Sequence, residues 1–75
     1  MNYTYNIKQD FHETNNSQLV AVYGMEALNE HGEVTEAISD ISCDKSEMLA
    51  LIQKCNKHQL DPIHMRDIVE DFINS

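Results

Sequence analysis

Seventy-five residues carry thirteen acidic and five basic side chains, a net charge of −8, with 41 % apolar residues, two glycines and one proline. That length supports one domain, residues 1–75, with one small core, near the lower limit at which a chain folds without covalent or metal help. The charge repels phosphate backbones and anionic headgroups, which disfavours direct nucleic-acid or membrane-surface binding, and the longest apolar run, residues 19–23, is far too short to span a bilayer.

No basic segment followed by a long apolar run opens the sequence, and Cys43 and Cys55 are its two cysteines. A cytoplasmic protein with reduced thiols is the expectation. The acidic balance favours solubility or a basic partner.

Residues 2–11 alternate, with Tyr3, Tyr5, Ile7 and Phe11 on one parity and Asn2, Thr4, Asn6, Lys8 and Asp10 on the other. Period two with aromatic and β-branched members predicts a half-buried strand. The polar residues 12–17 predict an exposed hairpin loop. Residues 18–29 are apolar on both parities, as in a central, more deeply buried strand, and Gly24 within them marks a bulge or a close approach of backbone.

Gly32 suits the positive φ of a second hairpin turn, and residues 34–41 predict a third strand. Its alternation is imperfect, since Glu36 and Asp40 share a parity with Val34 and Ile38, so a bulge or an edge position is implied.

Asp44-Lys45-Ser46-Glu47 has the form of a capping box, in which Asp44 takes the N3 amide and Glu47 reaches back to the cap amide. A helix over residues 45–57 follows, with Met48, Leu51, Ile52 and Cys55 as its apolar stripe. Asp61 then caps a second helix over residues 62–73, with Pro62 at the first helical position, where a missing amide loses nothing. Its apolar face is Met65, Ile68, Val69 and Phe72, flanked by Ile63 and Ile73, and Arg66 pairs with Glu70 four residues on. The fold class is therefore α+β, a three-stranded antiparallel sheet followed by two C-terminal helices packed on one face, β-β-β-α-α. The other face stays open, and if Tyr3 and Tyr5 point there it offers a homodimer or partner surface.

Cys55, His58 and His64, with Cys43 upstream, contain the side chains that zinc prefers, but not the paired short spacings of a structural zinc site. Cys55 falls on the apolar stripe, where a free thiol behaves as a small hydrophobe. The same residues lack the motif, the oxyanion-binding turn and the orienting partner of a cysteine nucleophile. The expectation is no enzyme, no cofactor and no metal. Asp61, Asp67, Glu70 and Asp71 lack calcium-loop spacing and read as a solvated helix face.

The pattern Cys55-Asn56-x-x-Gln59-Leu60-Asp61-Pro62-Ile63-His64-x-x-Asp67-Ile68-Val69-Glu70-Asp71 resembles a family of short uncharacterised bacterial proteins, mostly clostridial. The resemblance covers about the last thirty residues and is looser before, where a segment like Tyr23-Gly24 ends a strand-rich half. It implies a fold and a shared turn between Gln59 and His64, and no catalytic or binding residue. The functional expectation is a small non-enzymatic module that binds another protein or itself. The alternative is an acidic inhibitor or nucleic-acid mimic directed at a nucleic-acid-binding protein. His58, Gln59 and His64, which have no evident structural duty in the sequence, are the candidate partner-binding residues.

Overall fold

In the computed structural model, which describes residues 2–75, the first alternating segment forms β1, Thr4–Glu13. It runs past the expected end at Phe11 because its antiparallel pairing with β2, Leu19–Leu28, is unbroken from Thr4 opposite Leu28 to Glu13 opposite Leu19. β3, Val34–Ser42, pairs with the other side of β2, so the sheet order is β1-β2-β3 and β2 is central.

Both hairpins close in the same way. Thr14 donates its amide to the Gln18 carbonyl at 2.8 Å and Asn29 its amide to the Glu33 carbonyl at 2.9 Å, with Ser17 at φ 60° and Gly32 at φ 79° in equivalent places. Asn29 reinforces the second turn through Oδ1, which accepts from the amides of His31 and Glu33. Glycine meets that backbone demand without steric cost and serine does not.

The imperfect alternation of β3 is a bulge on an edge strand. Met25 lies opposite Ile38 but Tyr23 lies opposite Ser42, so Gly24 alone faces Ser39, Asp40 and Ile41. Asp40 absorbs the excess at φ 56°. The bulge folds onto the face of β2 away from the helices, where a Cβ on Gly24 would collide with the Ile38 carbonyl oxygen and sit 2.9 Å from the Ser39 Cα. Asp40 thereby comes within 3.6 Å of His12 on β1.

α1, Lys45–Lys57, starts as the sequence implies, with the Asp44 side chain accepting the Glu47 amide at 3.1 Å. The reciprocal half of the capping box is replaced: the Asp44 amide donates to Ser42 Oγ at 3.0 Å. The second helical segment is broken in two, a 3-10 turn at Pro62–His64 and then α2, Met65–Ile73. Asp61 caps the 3-10 turn through the Ile63 amide, and the His64 amide returns to the Asp61 carbonyl with the tighter i to i+3 spacing. Arg66 reaches not Glu70 but Glu36 on β3, at 3.3 Å, an exposed contact that contributes little to stability.

Met48, Ile52 and Cys55 of α1 and Met65 and Val69 of α2 meet Tyr5, Met25 and Ala27 of the sheet to form the core. Tyr5 is 1 % exposed, so it faces the helices, and Tyr3 packs against the same core. The aromatic patch proposed for the open face is therefore absent from it. By strand alternation that face carries Thr4, Asn6, Lys8, Asp10 and His12 on β1 instead. Phe11 shares the parity of Tyr5 yet is 60 % exposed, because the β1–β2 hairpin extends beyond the helices in a molecule 45 × 28 × 18 Å across. Among the described residues no helix is long and apolar enough to cross a membrane.

Candidate interaction site

The C-terminal end of α1 is where the chain's two halves meet. Asn56, four residues after buried Ile52, turns its carboxamide onto the free side of β1: Oδ1 accepts from the Tyr5 amide at 2.7 Å and Nδ2 donates to the Tyr5 carbonyl at 3.0 Å. It satisfies both groups as a neighbouring strand would. The Tyr5 hydroxyl continues under the helix and donates to the Leu60 carbonyl at 2.6 Å. Burial, and then the charges of Cys55, Asp61 and Tyr3, push the Tyr5 pKa up to about 12.

The turn that follows closes by a Schellman arrangement, with the Leu60 amide donating to the Cys55 carbonyl at 3.0 Å and the Gln59 amide to the Asn56 carbonyl at 3.3 Å. Gln59 occupies the left-handed position at φ 48°, usually held by glycine, and its Nε2 donates to the Asn56 carbonyl at 2.8 Å. This residue has a structural duty that the sequence did not reveal. Leu60 packs back against the core.

Between α1 and α2 this leaves an apolar groove of about 520 Å3. Leu51, Cys55, Leu60, Ile68 and Phe72 form its floor, with Lys54 and His58 on the α1 rim and Asp71 on the α2 rim. Burial pushes the Cys55 thiol pKa up, so this sulfur contributes apolar surface and not a reactive thiolate. Of the three residues singled out in the sequence, only His58 lines the groove. Gln59 is exposed in the turn, and His64 stands exposed at the start of α2 with no side-chain capping bond.

Cys43 is exposed ahead of α1, while Cys55 is buried near its far end. Among the described residues no group of three or more His, Cys, Asp or Glu side chains is placed to hold a metal ion. The groove itself escaped sequence reasoning because Leu51, Ile68 and Phe72 read as core. The available signal was width: each helix has more apolar positions than a narrow contact with the sheet covers.

A family model described as a family of unknown function, DUF6514, matches residues 1–75. The chain belongs to the DUF6514 family. The match spans the strand-rich half as well as the helical corner, so the clamp from Asn56 to Tyr5 and the groove both lie inside the DUF6514 region. No curated protein and no solved structure matches the chain.

Proposed function

We propose that this protein is a small non-enzymatic interaction module of the cytoplasm, and that the groove between α1 and α2 receives an apolar anchor from a protein partner. The observation that carries the reading is the groove's layout, an apolar floor with charged and polar groups confined to the rim. That is the arrangement of an interface centre with its polar border. The floor holds no hydrogen-bonding side chain that would orient a small molecule, apart from the weakly polar Cys55 thiol. Free cysteines suit a reducing compartment. The reading as an acidic nucleic-acid mimic draws on net charge alone, and Asp10 and Glu36 are already engaged with Lys8 and Arg66, so it ranks second.

The test is a comparison of two baits in lysate, the wild-type protein and a Lys54→Glu/His58→Glu rim variant with unchanged circular dichroism. A protein retained by the first and lost from the second supports the groove. The same proteins on both baits, or none on either, refutes it.

A further inference from the structure

Among the described residues, the outer side of the edge strand β1 from Thr4 to Glu13 is closed at Tyr5. Asn56 takes the outward amide and carbonyl of Tyr5. In an antiparallel ladder residues two apart direct their backbone groups the same way, and the β1–β2 register has no shift. The outward groups of Ile7, Gln9 and Phe11 therefore form an unpaired row beyond the Asn56 stop. A ten-residue edge strand without proline or bulge is a template for another strand. The side chains along it are self-complementary. Lys8 and Asp10, already 2.9 Å apart within one copy, flank Gln9 on the open face, and half-buried Ile7 and exposed Phe11 flank it on the helix face.

We propose that two copies of this protein associate through their β1 edges, antiparallel about a twofold axis at Gln9, to form a continuous six-stranded sheet. In this register Gln9 pairs with Gln9 of the second copy, and Ile7 and Phe11 pair with Phe11 and Ile7 of the second copy, all in hydrogen-bonded positions. Lys8 and Asp10 meet Asp10 and Lys8 of the second copy in the non-hydrogen-bonded positions, where side chains approach most closely. The contact is isologous and closes on itself. It gives Phe11, 60 % exposed in one copy, an apolar neighbour. The adjacent registers fail. Centring on Asp10 sets two carboxylates opposite each other, and centring on Lys8 opposes two ammonium groups; in the Gln9 register Glu13 of the second copy falls opposite the Tyr5 backbone that Asn56 occupies, so the pairing runs from Ile7 to Phe11 and ends there. This edge is separate from the groove between the helices, so either surface can fail without the other.

The test is molar mass in solution, by sedimentation equilibrium or light scattering, up to about 0.5 mM, a range that catches weak association. The wild-type protein is expected at twice 8.6 kDa. Gln9→Pro removes an outward amide and leaves the β1–β2 bonds in place, so it is expected to be a folded monomer. Asp10→Lys is expected to weaken association about tenfold, through lost ion pairs and new like-charge pairs on both sides of the axis. Lys8→Asp/Asp10→Lys is expected to restore it. A wild-type monomer throughout the range, a dimer that survives Gln9→Pro, or Asp10→Lys associating like the wild type overturns the proposal.

Discussion

Replacing Tyr5 by Phe removes a single oxygen and keeps the ring in the core. That oxygen makes the 2.6 Å bond to the Leu60 carbonyl, joining β1 to the turn that ends α1. A net hydrogen bond of about 1 kcal/mol is lost and a sheltered acceptor is left unpaired, so the change is expected to cost about 2 kcal/mol. For a domain of this size that lowers the melting temperature by about 10 °C. The pH dependence provides a second, independent readout. Tyr5 titrates at about 12 when folded, chiefly because it is buried and secondarily because of Cys55, Asp61 and Tyr3. An unfolded tyrosine titrates near 10. Below pH 10 both states keep the proton and the contribution is constant. Between pH 10 and 12 the unfolded chain releases it first, so stability falls as pH rises, by roughly 2–3 kcal/mol at the top of that window. Tyr5→Phe lacks this loss, and the stability gap between the two proteins should close toward zero by pH 12. Urea unfolding followed by far-ultraviolet circular dichroism at pH 7, 10 and 11.5 measures both effects. A gap under about 0.3 kcal/mol at pH 7, or one that stays constant up to pH 11.5, would refute the reasoning.

Asn56→Ala removes both bonds to the Tyr5 backbone and is expected to cost about 2 kcal/mol in the same unfolding assay, with faster hydrogen exchange at the Tyr5 amide as the local sign. Gln59→Gly relieves a left-handed glutamine and is expected to stabilise the protein by about 0.5–1 kcal/mol, the lost exposed side-chain bond being a small offset. Gly24→Ala drives a methyl group into the β3 backbone and is expected to cost about 3 kcal/mol, read as a lowered melting temperature in thermal melts.

Local rules made most of the architecture legible. Alternation marked β1, apolar residues on both parities marked β2 as central, Asp44 placed the start of α1, and Asp61 and Pro62 marked the 3-10 turn that leads into α2. The bulge in β3 was foreshadowed twice, by Gly24 and by the broken alternation around Asp40, because both respond to the same backbone crossing. What escaped were features that depend on distant partners. Nothing near Tyr5 in sequence announces Asn56, and nothing near Arg66 announces Glu36. Phe11 shares a parity with Tyr5 but lies where the hairpin outruns the helices, a matter of element length that periodicity does not carry. Of the three residues singled out in the sequence, His58 is the one that lines the groove. Gln59 hid its role because a left-handed helix end is signalled by glycine, and here the position holds another residue.

The carboxamide of Asn56 stands in for a strand that is not there, and this has a consequence for the order in which the protein is made. The groups that satisfy the Tyr5 backbone and hydroxyl are 51 and 55 residues further along the chain, so Tyr5 leaves the ribosome well before them. Until α1 has been synthesised almost to its end, the outer side of the first hairpin has no cover from its own molecule. During that interval it is most open to capture by the same hairpin on a neighbouring nascent chain. Closing the clamp thus takes the Tyr5 backbone out of reach of another strand.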